Sequence, residues 1–150
     1  MALHKIPARS IILIGAFIGL SAVGALAQNK PVFTAYKEVV IGMSASEART
    51  KLGKPKETSD AEDYFEFSDK ESARVLYDND KKARAISITY SANESTAPTA
   101  QAVLGMAVEA RPDGGMFKMV EYPKQKFWIS YVRTGGDEPL VIVTIQKIGE

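Results

Sequence analysis

The sequence predicts an α+β fold in which short helices pack on one face of an antiparallel sheet. Three features support this prediction. Two short helical segments each end in Leu-Gly, and three strand-like runs follow each of them. The strand runs alternate apolar and polar side chains, as strands with one solvated face do. The chain has 150 residues, 45% of them hydrophobic, and no cysteine, so a packed core must replace disulfides.

Residues 1–27 have the layout of a secretory signal peptide. A basic start precedes an apolar run over residues 11–20 and the small-residue ending Ala25-Leu26-Ala27. We expect cleavage after Ala27 and a periplasmic or secreted mature protein. The alternative is an uncleaved segment anchored in the inner membrane, because the apolar run is nearly long enough to span a bilayer. Membrane contact is expected only through such an uncleaved segment.

The first predicted helix covers Ala45–Leu52. Ser44 is typical of an N-cap, and Glu47 three residues later completes a capping box. Gly53 supplies the left-handed C-terminal position, and Pro55 blocks continuation of the helix. The preceding residues 30–41 fit either a short helix or an extended segment.

Six strands are predicted from β-rich, alternating runs. They are Tyr64–Phe67, Ala73–Tyr77, Ala85–Tyr90, Phe117–Tyr122, Lys126–Arg133 and Leu140–Lys147. The last of them is apolar on both sides, so we expect it either to be a central strand or to contribute its outer side to an interface.

The two halves of the chain share one plan. Thr96–Gly105 aligns without a gap on Ser44–Gly53, with the same type of N-cap and the same Leu-Gly ending. We interpret this as a tandem α-βββ duplication, with repeat units at about 33–90 and about 95–148 inside a domain of residues 28–150. The two units would join edge to edge into one sheet.

Composition excludes several classes of function. After residue 27 the chain has 17 basic and 18 acidic side chains, because Lys5 and Arg9 are subtracted from 19 Lys and Arg and nothing from 18 Asp and Glu. This balance argues against nucleic acid as a partner. The same region has no His and no Cys, which removes the Ser-His-Asp and Cys-His arrangements and the usual zinc sites.

Two acidic clusters have ordinary structural explanations. Asp60, Glu62 and Asp63 could serve as an acid–base pair, but a solvated loop explains them more simply. Asp78-Asn79-Asp80 lacks the ligand spacing of a calcium loop and is typical of a turn between strands. We therefore predict a non-catalytic protein with no cofactor and no metal.

Alternation sorts the strand side chains onto two faces. The helix side is expected to receive Phe65, Phe67, Val75, Tyr77, Ile86, Ile88, Phe127, Ile129 and Tyr131. The opposite side is expected to carry Tyr64, Glu66, Arg74, Ser87, Thr89, Trp128 and Ser130. Trp, Tyr and Arg dominate protein interfaces, so we predict that this second set binds a protein partner. The alternative is a shift of one residue that places Trp128 in the core.

Part of the chain resembles the SmpA/OmlA/BamE-like domain family. The resemblance rests on Ile41-Gly-Met-Ser-x-x-Glu-x-x-x-x-Leu-Gly-Lys-Pro55, on Tyr64-Phe-Glu-Phe67, on Val75-Leu-Tyr-Asp-Asn-Asp80 and on Ala85-Ile86. The β-lactamase inhibitory protein family looks similar in fold, as a tandem of such units. Anchoring through a lipid-modified Cys does not carry over, since the chain has no Cys.

The resemblance implies a periplasmic or secreted module that binds proteins. The expected partner is an outer-membrane assembly component. One alternative is a secreted enzyme that the protein inhibits, and another is a signal-anchored structural or lipid-contacting envelope protein.

Overall fold

The computed structural model describes residues 30–149, so the predicted signal peptide, residues 1–27, lies outside the described residues. The elements in chain order are α1 (Ala45–Leu52), β1 (Glu57–Thr58), β2 (Glu62–Ser68), β3 (Glu71–Tyr77), β4 (Ala83–Ser91), α2 (Ala100–Leu104), β5 (Met116–Tyr122), β6 (Phe127–Arg133) and β7 (Leu140–Lys147). The strands form one antiparallel sheet in the order β1-β2-β3-β4-β7-β6-β5. The α+β prediction with an antiparallel sheet is confirmed. No helix within the described range is long and apolar enough to span a membrane.

The two halves of the sheet meet at β4 and β7. These strands pair directly, with Ile86 opposite Ile145 and Ile88 opposite Val143. All four side chains are fully buried. The central position that the apolar character of β7 predicted is therefore confirmed.

Helix α1 forms where its capping signals predicted. The Ser44 hydroxyl accepts the backbone N–H of Glu47 at 3.3 Å, and the Glu47 carboxylate accepts the backbone N–H of Ser44 at 3.0 Å. Gly53 ends the helix as predicted, but its φ of 89° and ψ of −163° are not the predicted left-handed helical conformation. Ala48 and Leu52 turn inward onto the sheet, so the helix is held by one apolar edge.

The predicted N-cap of the second helix was wrong. Thr99, and not Thr96, caps α2, and its hydroxyl accepts the N–H of Ala102 at 3.2 Å. The physical reason is Pro98, whose ring disfavours helical backbone at the preceding residue and so prevents an earlier start. The end of the helix was predicted correctly, because Gly105 adopts the left-handed conformation at φ 71°.

The segment before α1 contains a tight turn at Lys37 and Glu38. For residues 30–41 the sequence predicts either a short helix or an extended segment, and this turn is neither. Tyr36 and Val39 exchange both backbone hydrogen bonds, at 3.0 and 2.8 Å, across Lys37 and Glu38. The two central residues have positive φ angles of 44° and 66°. The Lys37 ammonium forms an ion pair with Glu71 at 3.2 Å, which ties the turn to the start of β3.

The helices and this lead-in segment cover the same face of the sheet. Tyr36, Val39, Leu52 and Leu104 belong to one core cluster with the inward side chains of the strands. That cluster includes the predicted inward residues Phe65, Val75, Tyr77, Ile86, Ile88, Ile129 and Tyr131, with Phe67 and Phe127 partly buried against it. Within residues 30–149 no helix lies on the opposite face of the sheet.

Candidate functional site

The candidate functional site is the face of the sheet that points away from α1 and α2, which we call the open face. Strand pairing arranges its side chains in three rows across the sheet. The first row is Glu62, Leu76, Ala85, Gln146, Trp128 and Glu121. The second is Glu57, Tyr64, Arg74, Ser87, Thr144, Ser130 and Met119. The third is Glu66, Ser72, Thr89, Ile142, Val132 and Phe117.

All seven residues predicted for partner binding lie on this face. Tyr64, Arg74, Ser87 and Ser130 share the second row, Glu66 and Thr89 the third, and Trp128 the first. Arg74 and Glu66 are exposed, whereas Ser130 is 8% exposed and offers little surface. The predicted shift that would bury Trp128 does not occur. Their role in binding stays a prediction.

The β1–β3 side of the open face is polar and paired within itself. The Arg74 guanidinium donates to Glu62 at 2.7 Å and lies 4.9 Å from the centre of the Tyr64 ring. Lys56 forms an ion pair with Glu66. Because these charges already have partners, this side presents little uncompensated charge.

The β5–β7 side of the open face is apolar. Phe117 is 56% exposed, Met119 43% and Leu140 40%, which makes them three of the five most exposed large apolar residues in the described range. Val132 and Ile142 pair beside Phe117 in the third row and are half-buried. The apolar patch is our name for Phe117, Met119, Val132, Leu140 and Ile142. Half-buried Trp128 lies on the same face, in β6.

Sequence reasoning missed the part of the apolar patch that β5 supplies, Phe117 and Met119. The alternation of Phe117 and Met119 along β5 is visible in the sequence, but which face they occupy depends on the pairing with β6. Since Met119 lies opposite Ser130, which was already assigned to the open face, the missing information was the register between these strands.

A second polar site lies on the helix side, and here a prediction was wrong. Asp63 is not in a solvated loop; it lies in β2 and is completely buried. Arg49 of α1 donates to both carboxylate oxygens, at 2.8 and 2.9 Å. Thr58 donates at 2.6 Å and Tyr77 at 2.8 Å.

These four hydrogen bonds decide the chemistry of Asp63. Burial alone would raise the pKa of its carboxyl, but the hydrogen bonds from Arg49, Thr58 and Tyr77 outweigh it and hold the pKa below its usual range. Each carboxylate oxygen already accepts two donors. The group therefore anchors α1 to the sheet and has no proton to give near neutral pH.

The other acidic cluster forms the turn that was predicted. The Asp78 side chain accepts the backbone N–H groups of Asp80 at 3.0 Å and Lys82 at 2.9 Å. Within residues 30–149 no group of three or more His, Cys, Asp or Glu side chains is placed to hold a metal ion.

Comparison with known proteins found no match. No family model matches the chain, and neither does any curated protein or solved structure. The resemblance to the SmpA/OmlA/BamE-like family therefore stays a prediction that rests on residues 41–55 and 64–86.

Proposed function

We propose that this protein is an exported, non-catalytic binding module that grips a protein partner with the open face of its sheet. The apolar patch carries the proposal. Exposed apolar side chains are common singly, but a contiguous group on one face is typical of an interaction site. A partner that covers Phe117 and Met119 would remove apolar surface from water and so gain binding free energy.

The neighbouring residues support a protein surface as the ligand. Trp128, Tyr64 and Arg74 are of the residue types that contribute most to protein interfaces. Trp128 lies beside the apolar patch on β6, whereas Tyr64 and Arg74 belong to the polar β1–β3 side, which would form the rim. An apolar centre with a polar rim is the usual anatomy of such interfaces.

We further propose that the fold arose by tandem duplication of an α-βββ unit. Each half has a short capped helix followed by three strands of seven to nine residues, and the first half has the two-residue β1 in addition. The last strands of the two halves, β4 and β7, pair at the centre. Ser44 aligns with Thr96, but α2 is capped by Thr99, three residues later. The proposal requires that the second unit diverged from the first at this cap. The consequence for function is that the open face combines two units of different character, one polar and one apolar.

The proposed location is the periplasm or the exterior, after cleavage at Ala27. An outer-membrane assembly component is the first candidate partner, as the family resemblance implies. A secreted enzyme inhibited by the protein is the second. Both would use the same face, so only the identity of the partner separates them.

Site-specific photo-cross-linking tests the proposal. A photoreactive phenylalanine analogue is placed at Phe117 in the full-length protein and activated in intact cells of the native host. The matched control carries the analogue at Val32, which is 57% exposed against 56% for Phe117 but lies off the open face. We expect a discrete protein adduct from position 117 only, and a Trp128→Ala change in the same protein should weaken it.

Mass spectrometry of the adduct then separates the candidate partners. Outer-membrane assembly components would support the first and a secreted hydrolase the second. Equal adducts from both positions, or none from position 117, would contradict binding through the open face.

A further inference from the structure

We propose that a groove on the helix side of the sheet, between α2 and strands β5–β7, binds a small aliphatic carboxylate through Arg133. The groove lies on the opposite side of the sheet from the open face. The proposal is therefore independent of the proposed protein-binding function.

The floor of the groove is one row of the sheet. Strand pairing places Met116, Arg133 and Val141 side by side, each on a different strand. The start of α2 around Pro98 and the segment containing Val108 form the walls. The groove is open to solvent and has a volume of about 380 Å³, which lies at the small end of the range for ligand pockets.

Arg133 is a half-buried cation that lacks a carboxylate partner among residues 30–149. Its Nη1 atom donates to the carbonyl oxygen of Gly114 at 2.7 Å. The carboxylate of Asp113, in the adjoining turn, accepts the N–H of Gly115 at 2.9 Å instead. The cross-strand neighbours of Arg133, Met116 and Val141, are both apolar and cannot balance its charge.

The charge of Arg133 acts inside the groove. Burial raises the pKa of Tyr131, another lining residue, and the positive charge of Arg133 opposes that rise. The Tyr131 hydroxyl donates to the carbonyl oxygen of Pro98 at 3.3 Å on the groove wall. In partly apolar surroundings a guanidinium has fewer contacts with water. An anion that replaces those contacts therefore gains more binding free energy than it would at an exposed guanidinium.

The shape and lining of the groove define the class of anion. A planar carboxylate matches the two-pronged geometry of a guanidinium, and a single negative charge balances a single Arg. Val108, Met116 and Val141 offer apolar contacts to a tail. Octanoate, which joins one carboxylate to a short aliphatic tail, is a simple probe of this class.

Titration of the full-length, ¹⁵N-labelled protein with octanoate tests this site by nuclear magnetic resonance. We expect shifts confined to residues of the groove, and at least tenfold weaker binding by Arg133→Gln. Arg74→Gln is the matched control, because it removes the same charge from the open face and should bind octanoate like the unchanged protein. Octan-1-ol should bind at least tenfold more weakly, since it has the tail without the charge.

A second variant keeps the test decisive if Arg133→Gln fails to fold. Ala107 is an exposed residue on the groove wall, so Ala107→Trp fills the groove and leaves the core and Arg133 in place. We expect it to abolish the octanoate shifts. Absence of shifts in the unchanged protein, shifts on the open face, or undiminished binding by Ala107→Trp would overturn the proposal.

Discussion

Replacing Asp63 by Asn should destabilise the protein strongly. The substitution keeps the size of the side chain but removes the charge and turns one acceptor into an NH₂ group. In either orientation that group faces a donor from Arg49 and a second donor from Thr58 or Tyr77. Breaking a buried ion pair costs about 3–5 kcal/mol. The Arg49 side chain is 42% exposed and regains water, so we expect the lower end, about 3 kcal/mol.

Urea unfolding measures this loss. With a slope of about 2 kcal/mol/M, the midpoint should fall by about 1.5 M at neutral pH. Glu66→Gln is the matched control: it removes a carboxylate from the same strand, but one paired with Lys56 at the exposed surface. Its midpoint should not change measurably.

The pH dependence provides a second check on the same residue. Because the pKa of Asp63 is lowered in the folded protein, its contribution is fully present above the unfolded value of about 3.9. It is lost as the pH falls through the lowered folded value, so the stability gap between the unchanged protein and Asp63→Asn should begin to narrow below about pH 4 and close only below the folded pKa. A loss under about 1 kcal/mol at neutral pH, or a gap that persists in acid, would refute the proposed role of this carboxylate.

Three further changes should alter stability in defined directions. Thr99→Ala should cost about 1 kcal/mol in thermal unfolding, whereas Thr96→Ala should cost nothing; equal effects would contradict the corrected N-cap. Gly105→Ala should cost about 1 kcal/mol because of its φ of 71°, since the added carbon would meet Val32 only at an ordinary 3.7 Å; an unchanged midpoint would argue against the left-handed cap. Tyr122→Phe should stabilise by about 1 kcal/mol, because its buried hydroxyl finds no hydrogen-bond partner within residues 30–149; a loss of stability would show that the hydroxyl is satisfied.

Local patterns in the sequence predicted most of the fold. Ser44 and Glu47 define the start of α1 through contacts within one turn, and such contacts are readable from four consecutive residues. The alternation of Phe65 and Phe67 likewise assigned β2 to its correct face. These features succeed because neighbours along the chain determine them.

The errors arose where a distant contact or a competing local preference determines the local structure. Asp63 alternates in step with Phe65, so its inward direction was readable, but only the approach of Arg49 explains why a carboxylate is tolerated there. The turn at Lys37 and Glu38 depends on contacts with Glu71, far along the chain. At Thr99 the effect of Pro98 on the preceding residue outweighed the similarity of two capping segments.

The candidate site was only partly predictable for the same reason. Alternation placed Tyr64, Arg74 and Trp128 on one face. It could not place Phe117 and Met119 beside them, because that requires the register between β5 and β6.

The pairing of β4 with β7 has a consequence for how the chain folds. Strands β2, β3 and β4 are joined by short connections, and so are β5, β6 and β7, so each set can form through contacts of low sequence separation. The central ladder joins residues from opposite halves, with Ser91 and Leu140 as its closest pair along the chain. Closing that long loop is expected to be the slow step.

Until it closes, β4 presents an unpaired edge that contains Ile86 and Ile88, and such an apolar edge is prone to aggregate. β7 follows β5 and β6 in chain order, so a newly made chain exposes this edge until β7 has been made. We therefore expect a chaperone that shields the free edge of β4 to increase the yield of folded protein. A chaperone that shields other parts of β2–β4 or of β5–β7 should increase it less.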